Sequence, residues 1–382
     1  MNGELRVAIV HDYLNQMGGA ERVVAVLHQM FPQAPIYTTI VDRERLMKEL
    51  KDADIRTTWM QKIPGILKRF KLFFWLYPFA VQSMNLRGYD LIISSSSAYA
   101  KGAPVGRDAI HICYCHTPMR FAWDFSTYME GMKVPRLVKW IAQSMVLPLK
   151  LWDKAKSRGI HHLIANSSVV QKRIKDHYGL SSTVIFPPVG VSRFHVAERR
   201  NGGGYFLIVS RLVSYKRIDL AVEACTKANK QLVVIGDGPD RERLQKLAGP
   251  TVQFLGRLPD IQVVQYMKMC RALIFPGIED FGITPLEANA CGRPVIAFRG
   301  GGALDTIIPG LNGQFFAEQK AESLAEVIAQ FDEANWDPVT IRRHAEKYDE
   351  ARFIRELSAF IEAAAKAKEP TLTYRTTVPE TL

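Results

Sequence analysis

Short apolar runs alternate with longer amphipathic stretches along most of this chain. In the first half the runs are rich in Val and Ile, which is typical of buried parallel strands. We expect six strands there, at RVAIVHDY, APIYTTI, DLIISSSS, IHICYCHT, HLIANSS and TVIFPP. The stretches between them, such as ERVVAVLHQMF and VVQKRIKDHYG, have apolar residues at helical spacing. The pattern predicts an α/β domain.

The alternation is interrupted once and then resumes. Pro187, Pro188 and the glycines at 202–204 break the periodicity. Six further strands are expected at YFLIVSR, QLVVIG, VQFLG, ALIFP, RPVIAF and GQFF, separated by helices such as RIDLAVEACTKA and DIQVVQYMKMC. We therefore predict two Rossmann-like, doubly wound α/β domains at 1–190 and 191–350. Ligands are expected at the carboxyl ends of their strands, facing the cleft between the domains.

The C-terminal region is predicted to contain one more helix and then a tail. EARFIRELSAFIEAAAKAK is rich in alanine and has helical periodicity. The following PTLTYRTTVPETL has no apolar period, so residues 368–382 are expected to be mobile.

Length and cysteine content agree with a globular cytoplasmic protein. A chain of 382 residues is too long for one ordinary core. The five cysteines include no CxxC pair, so the sequence indicates neither a disulfide framework nor a zinc knuckle. MNGELRVAIVHDY lacks the basic start and the long apolar core of a signal peptide. We expect a cytoplasmic location with reduced thiols.

The positive charge is concentrated in the first half. Residues 1–190 contain 25 Lys and Arg against 14 Asp and Glu, a net charge of +11, whereas residues 191–382 have a net charge of +1. This asymmetry predicts an anionic partner for the first domain, which could be a phosphorylated substrate, a membrane surface or nucleic acid.

The stretch PGIEDFGITPLEANACGRPVIA, residues 276–297, combines two acids with a predicted helix start. Thr284 is expected as the N-cap, which makes Glu287 a capping-box acid in one interpretation. Glu279 precedes the helix and has no such role. The amides of Gly282 and Ile283 would face an anion at the helix N-terminus. Two acids that accept hydrogen bonds from hydroxyl groups, next to a site for an anion, suit a sugar nucleotide.

Two cations follow the first strand of the second domain. SRLVSYKR places Arg211 at the end of that strand and Lys216 five residues later. A guanidinium and an ammonium at the mouth of a parallel sheet suit a diphosphate. The alternative is a pair of solvated surface cations.

The first domain has two candidate positions at strand ends. Gly18 and Gly19, in HDYLNQMGGAER, would allow the backbone to approach a ligand, although there is no GxGxxG fingerprint and an ordinary tight turn is the alternative. His116 follows the strand IHICYCHT. Its position at a carboxyl end favours a functional role over a structural one.

Weaker signals lie elsewhere. Arg257, in FLGRLPD, is a candidate for framing a phosphate or base, with an ordinary turn as the alternative. His111, Cys113 and Cys115 alternate along a strand and are interpreted as packing residues. The DxD at 52–54 lies in a charged stretch, which argues against metal binding.

Two segments combine basic and aromatic residues. They are QKIPGILKRFKLFFWLYPFAVQSM at 61–84 and KVPRLVKWIAQSMVLPLKLWDKAKSR at 133–158. Prolines and cations interrupt them, so they are too short in apolar run to span a bilayer. They suit interfacial helices on anionic lipid, and core-packed domain helices are the alternative.

The strand-end motifs occur in an order that resembles the retaining glycosyltransferases of the GT-B fold. The motifs are Gly18-Gly19, Arg211-x4-Lys216 and Glu279-x7-Glu287, and the resemblance extends over residues 5–365. More narrowly, the chain resembles family 4, which includes many bacterial lipopolysaccharide and exopolysaccharide mannosyltransferases.

The resemblance implies a role for each candidate residue. Glu287 would accept from the ribose hydroxyls, and Arg211 and Lys216 would hold the donor diphosphate, with Gly18, Gly19 and Arg257 also on the donor side. Glu279 and the amides of Phe281, Gly282 and Ile283 would meet the donor sugar. His116 would lie near the reacting centre. The catalytic set would be His116, Arg211, Lys216 and Glu279, and the last helix, 351–367, would cross back to the first domain.

The resemblance also implies a mechanism and partners. The leaving diphosphate would take the acceptor proton while Arg211 and Lys216 stabilise its charge, so no metal or other cofactor is expected. The run HTPMRFAWD is similar to one in the mannosyltransferase subgroup, which suggests GDP-mannose as donor and leaves UDP-sugars open. We expect a lipid-linked or glycan acceptor and peripheral association with the inner face of the membrane.

Two readings of other kinds remain at this point. One is a sugar-nucleotide epimerase with the same fold, and the other is a non-catalytic membrane-surface or nucleic-acid-binding module. No recognisable nucleic-acid-binding motif accompanies the charge, so nucleic acid is not expected as a partner.

Overall fold

The computed structural model describes residues 5–125, 136–196 and 203–368. The chain divides into two units. Of the described residues, the first unit contains 5–125, 136–188 and 351–368, and the second contains 189–196 and 203–350. The tail predicted at 368–382 lies, apart from its first residue, outside the described residues.

The first unit is built on a seven-stranded parallel sheet of order β3-β2-β1-β4-β5-β6-β7. Its strands are β1 Val7–His11, β2 Ile36–Thr38, β3 Ile55–Thr57, β4 Leu91–Ser96, β5 Ile110–Cys115, β6 His162–Ala165 and β7 Thr183–Val184. All six predicted strands of this half are present. Strand β3 was not predicted, because this largely exposed edge strand reads IRT and has no apolar run.

Helices cover both faces of this sheet. They are α1 Gly19–Met30, α2 Ile66–Arg69, α3 Tyr77–Gln82, α4 Arg120–Trp123, α5 Arg136–Ser144, α6 Val146–Ser157 and α7 Ser168–Tyr178. Val23 and Leu27 of α1 share a core with Ile9 on one face. Val81 of α3 shares another with Val10 on the opposite face. Adjacent strand residues therefore pack on opposite faces, and both faces are apolar.

The second unit is built on a six-stranded parallel sheet of order β10-β9-β8-β11-β12-β13. Its strands are β8 Phe206–Val209, β9 Leu232–Ile235, β10 Val252–Gly256, β11 Leu273–Phe275, β12 Val295–Phe298 and β13 Gly313–Phe316. Each of these six strands was predicted. The order reverses between β8 and β11, as it does between β1 and β4 in the first unit. This confirms two doubly wound, Rossmann-like sheets.

The helices of the second unit also lie on both sides of its sheet. They are α8 Ile218–Lys227, α9 Arg241–Leu247, α10 Asp260–Met269, α11 Ile283–Ala290, α12 Ala303–Thr306, α13 Ala321–Ala329 and α14 Pro338–Glu346. Leu324 of α13 and Val222 of α8 are buried in one core with Phe206 of β8.

The last helix, α15 Glu350–Lys368, packs on the first unit. Phe353, Leu357 and Ile361 lie four residues apart on one face of α15, and all three are buried in the core that contains Ile9. The ring centroid of Phe353 is 5.7 Å from that of Tyr114 in β5. The periodicity that predicted this helix therefore marks the face that it buries.

A fully buried ion pair joins two helical segments of the first unit. The ammonium of Lys101 lies 2.8 Å from Oδ1 of Asp153 in α6, and both side chains are fully buried. Oδ2 of Asp153 accepts from the indole of Trp123 and from the hydroxyl of Tyr178, at 2.7 and 2.6 Å. The carboxylate thus fixes α6 against α4 and α7. A buried charge that loses its partner is strongly destabilising.

Asp153→Asn should lower the free energy of unfolding by about 3 kcal/mol or more, because it leaves the Lys101 ammonium buried without a counter-charge. Urea denaturation would measure the effect. The double variant Lys101→Met/Asp153→Asn should recover most of the loss.

The matched control is Asp176→Asn, which removes an exposed ion pair with Lys172. That substitution should lower the free energy of unfolding by at most about 1 kcal/mol. Equal effects of the two Asp→Asn substitutions would contradict a structural role for the buried pair.

Candidate functional site

In the second unit, the candidate residues lie where the strand order reverses. The turn Ser214–Lys216 follows β8, and the loop that contains Glu279 follows β11. Since β8 and β11 are neighbours in a parallel sheet, both segments leave it at the same edge. A small pocket at this point is lined by residues that include Ser210, Lys216 and Glu279.

Lys216 and Glu279 form an ion pair. The ammonium of Lys216 contacts Oε1 of Glu279, and the two side chains are 14% and 23% exposed. Partial burial strengthens the attraction between the charges and leaves them accessible from solvent. The sequence predicted both residues at strand ends, and the structure brings them together as direct partners.

Arg211 lies nearer the solvent than Lys216. Its guanidinium donates to the hydroxyl of Tyr215 at 3.1 Å, and the ammonium of Lys216 lies 5.6 Å from the centroid of the same ring. Tyr215 therefore contacts both cations. Tyr215 was not a candidate from the sequence, because a tyrosine between two cations has no distinctive spacing.

Helix α11 begins earlier than predicted. Gly282 is its N-cap with φ of 85°, so the helix starts at Ile283 and the predicted N-cap at Thr284 is wrong. A side chain on Gly282 would also meet the ring of Phe275, hence glycine serves both the turn and the packing. Glu287 is then the fifth residue of the helix, too far along for a capping box.

Glu287 has a charged neighbour outside its helix. Its Oε1 lies 3.8 Å from a guanidinium nitrogen of Arg193, which follows the prolines that end the first half of the chain. Arg193 is 43% exposed and Glu287 is 12% exposed. Arg193 was not a candidate from the sequence, since no pattern links it to a residue ninety-four positions away.

The loop before α11 is supported by a glycine run that was also missed. The amide of Gly302 donates to the carbonyl of Glu279 at 2.8 Å. Phe281, whose amide was predicted to face the donor sugar, buries its side chain with its ring centroid 6.2 Å from that of Tyr348. RGGG after β12 could have been recognised in the sequence as a tight strand-to-helix turn.

Arg257 is not part of this group. It is exposed in the turn after β10, the edge strand. Two strand spacings, about 10 Å, separate its strand from β8.

In the first unit, Gly18 and Gly19 lie at the start of α1, next to the reversal between β1 and β4. Gly18 is the N-cap and Gly19 the first helical residue. A side chain on Gly18 would lie 2.9 Å from Oε2 of Glu21, which is 2% exposed. A side chain at position 18 would therefore meet a buried carboxylate. The amphipathic pattern of α1 gave no sign that Glu21 is buried.

A chain of polar contacts leads from Glu21 to His116. Nε2 of His11 lies 3.9 Å from Oε1 of Glu21, and Nδ1 of His11 donates to the carbonyl of Ser95 at 3.0 Å. The hydroxyl of Ser95 and Nε2 of His116 share a hydrogen bond of 2.8 Å. The ends of β1, β4 and β5 thus hold these side chains side by side.

The pKa values of His11 and His116, the two histidines in this series of contacts, shift in opposite directions. Burial, with a smaller contribution from the charge of His11, lowers the pKa of His116 to about 3. Burial also disfavours the charged form of His11, but Glu21 and Asp12 outweigh it and raise the pKa. His116 is consequently neutral at physiological pH, where it can offer a hydrogen bond but no positive charge.

Asp12 orders the loop that follows β4. Its carboxylate accepts from four consecutive backbone amides, Ser97 to Ala100, at 2.6–3.0 Å. An acid directly after a strand is visible in the sequence, but its partners lie more than eighty positions away.

The remaining sequence candidates are structural. Cys113 and Cys115 are buried in an apolar cluster, and none of the five buried cysteines is part of a disulfide. Asp54 of the DxD pairs with Arg56 at 2.7 Å. Across residues 5–125, 136–196 and 203–368, no group of three or more potential ligand side chains is arranged to hold a metal ion.

The low pKa of His116 predicts that the stability of the folded chain depends on pH. The unfolded chain protonates this residue near pH 6.5 and the folded chain only near pH 3, so folded stability falls as the pH decreases between these values. Between pH 7.5 and pH 5, the free energy of unfolding should therefore decrease by about 2 kcal/mol less in His116→Gln than in the wild type. Urea denaturation at several pH values measures the slope.

His195→Gln, at an exposed position, is the control and should retain the wild-type slope. A wild-type slope in His116→Gln would mean that His116 is not held neutral by its surroundings.

Comparison with known proteins identifies the family of this chain. The family model "Glycosyl transferases group 1" matches residues 193–350, and the model "Glycosyltransferase Family 4" matches residues 17–193. Together they extend over nearly all of both units.

Two curated relatives show the range of similarity. Alpha-1,3/1,6-mannosyltransferase ALG2 of Dictyostelium discoideum is 23% identical over 81% of this chain and 86% of its own. The GDP-mannose-dependent alpha-(1-6)-phosphatidylinositol monomannoside mannosyltransferase of Mycolicibacterium smegmatis is 29% identical over 38% of this chain and 46% of its own. Several matches of this kind span only about half of the relative's length.

Solved structures share the fold at low sequence identity. The crystal structure of Anabaena Alr3699/HepE in complex with UDP superposes with a TM-score of 0.69 and 16% identity, over 94% of this chain and 100% of that one. With both halves matched by their family models and both sheets doubly wound, the chain belongs to glycosyltransferase family 4 and has the GT-B fold.

Proposed function

We propose that this glycosyltransferase moves a mannosyl residue from GDP-mannose to a lipid-linked or glycan acceptor in cell-surface polysaccharide synthesis, with retention of the anomeric configuration. The observation that carries the proposal is the ion pair of Lys216 with Glu279 at the strand reversal of the second unit. A cation and a carboxylate beside the N-terminus of α11 suit a diphosphate and the hydroxyls of a sugar.

Two observations favour mannose and guanosine. The names of the relatives from D. discoideum and M. smegmatis specify mannosyl transfer, and the second also specifies GDP-mannose. The run HTPMRFAWD resembles the mannosyltransferase subgroup. The acceptor assignment rests on the lipid-bound acceptor in the second relative's name and on the basic character of the first unit.

The reaction breaks the bond between the anomeric carbon and the donor's phosphate oxygen and forms one to the acceptor oxygen. The leaving diphosphate takes the acceptor proton, and Arg211 and Lys216 stabilise its developing charge. Glu279 holds the ammonium of Lys216 in place before the donor arrives and then accepts from the sugar. With two cations and a helix N-terminus in this role, we propose that transfer needs no metal.

We propose further donor contacts for the remaining candidate residues. We assign Glu287 to the ribose, Arg257 to the nucleotide, and Gly18 and Gly19 to the phosphates. Neutral His116 is assigned to the reacting sugar as an uncharged hydrogen-bonding group.

We propose that the enzyme works at the cytoplasmic surface of an anionic membrane, where a lipid-linked acceptor is within reach. Within the described parts of the chain, every helix is too short or too polar to cross a bilayer. The basic and aromatic segments of the first unit support contact with the surface of the membrane instead.

Calorimetric titration with GDP-mannose, GDP, UDP-glucose and UDP, each with and without magnesium, tests the donor. We expect preferential binding of the two guanosine ligands, unchanged by magnesium. Binding of only the uridine ligands would overturn the mannose assignment, and a requirement for magnesium would overturn the metal-free mechanism. Turnover of GDP-mannose to an isomer without any acceptor would identify an epimerase.

Glu287→Ala should weaken GDP binding roughly tenfold or more in the same titration, because the ribose loses a charged acceptor. The control Glu326→Ala changes an exposed acid of α13 and should bind GDP as the wild type does. Unchanged affinity with a lower melting temperature would give Glu287 a structural role with Arg193 instead.

Lys216→Ala should reduce turnover about a hundredfold or more while the folded structure persists, since a positioned charge opposite the leaving group is lost. Lys246→Ala, an exposed lysine of α9, is the matched control and should retain full activity. Wild-type rates in Lys216→Ala would remove this residue from the mechanism.

A further inference from the structure

Large apolar side chains are exposed on two helical segments of the first unit. The segment that contains α2 and α3 exposes Leu72, Trp75 and Phe79, which are 46–66% exposed. Helices α5 and α6 expose Leu137, Trp140, Ile141, Leu147 and Leu151, at 46–69%. These eight residues make up nearly half of the large apolar side chains that are exposed in the described parts of the chain. We call them, with the basic residues named below, the apolar–basic surface.

These helices have a separate buried face, so the exposed residues are not needed for the core. In α6, Leu149, Asp153 and Ser157 are buried at a spacing of four residues. Leu147 and Leu151 have the same spacing but lie in solvent. On an ordinary surface helix, the outward positions are polar. Here apolar residues occupy them.

Aromatic contacts connect the two segments. Tyr77 of α3 stacks on Tyr99 with ring centroids 4.8 Å apart, and the ring of Tyr99 lies 6.1 Å from that of Trp152 in α6. Ile66 of α2 and Leu149 of α6 are also buried in one core. Both segments therefore pack on the same face of the first unit's sheet.

The charge of these segments is almost entirely positive. Residues 57–89 contain no Asp or Glu and five basic residues, Lys62, Lys68, Arg69, Lys71 and Arg87. Residues 136–158 contain six basic residues and one acid, Asp153, whose carboxylate is buried against Lys101. The buried ion pair thus removes the one negative charge from the solvent side of these segments.

We propose that the apolar–basic surface binds an anionic lipid bilayer, with its aromatic and aliphatic side chains in the interfacial region and its basic side chains among the headgroups. Burial of apolar area and attraction to anionic lipid add in such a contact. A second copy of this chain fits less well, because like charges would face each other. Nucleic acid offers little cover for so many aliphatic side chains. Lipid binding itself does not depend on the proposed donor chemistry, and only the link to a lipid-linked acceptor rests on it.

Co-sedimentation of the full chain with vesicles tests the proposal. Binding is expected to vesicles of phosphatidylcholine with phosphatidylglycerol, to be much weaker with phosphatidylcholine alone, and to decrease with salt. Lys68→Ala and Lys71→Ala should each reduce binding to the anionic vesicles roughly fivefold. Phe79→Ser/Trp140→Gln should reduce it roughly tenfold or more at constant charge.

The control for the apolar variant is Ile261→Ser, which changes an isoleucine in the second unit that is 74% exposed. It should bind vesicles as the wild type does. All these variants should keep wild-type GDP affinity in the calorimetric titration, which separates a failure of this proposal from a failure of the donor assignment.

Absence of binding to the anionic vesicles, or equal binding to both vesicle types, would overturn the proposal. Wild-type binding by both the lysine and the apolar variants would also overturn it. Sedimentation velocity addresses the alternative occupant: a dimer that Phe79→Ser/Trp140→Gln dissociates, without vesicle binding by the wild type, would assign the surface to a second copy.

Discussion

Parallel pairing of the strands is the constraint on which the rest of this structure depends. In both sheets every strand ends at the same edge, so the loops that follow the strands are collected there. The strand order reverses between β1 and β4 and between β8 and β11. At these two points neighbouring loops diverge to opposite faces and leave room for a ligand. The candidate residues of both units, apart from Arg257, lie at or beside these reversals.

The ion pair in the interior of the first unit joins helical segments, whereas the ion pair at the strand reversal of the second unit is accessible from solvent. Lys101 and Asp153 are fully buried and compensate each other completely. Lys216 and Glu279 are partly exposed, which leaves their contact open to the donor that we propose. The two pairs differ in burial rather than in residue type, and only the partly exposed pair is available for the proposed binding of a diphosphate.

The same ion pair that fixes α6 also affects the outer surface of the first unit. Because Asp153 is turned inward, the solvent side of the basic segments is left without a carboxylate. Aromatic side chains divide in the same way: Tyr77 is buried and Trp152 half-buried, while Trp140 and Phe79 lie in solvent. Each of the two segments thus has one apolar side that faces the core and another that faces solvent. This explains why the sequence supported both a core and an interfacial interpretation.

The sequence by itself determined the elements: twelve of thirteen strands, the doubly wound class and the positions of Lys216, Glu279 and His116 at strand ends. These features follow from local apolar periodicity, which any single stretch of chain reveals. The tertiary structure alone decided the partners. Glu21 with His11, Ser95 with His116, and Arg193 with Glu287 are brought together by the pairing and packing of separate elements, 10 to 94 positions apart in the chain. The start of α11 was also decided there, because Gly282 must fit against Phe275, and local capping preferences carry no information about that ring.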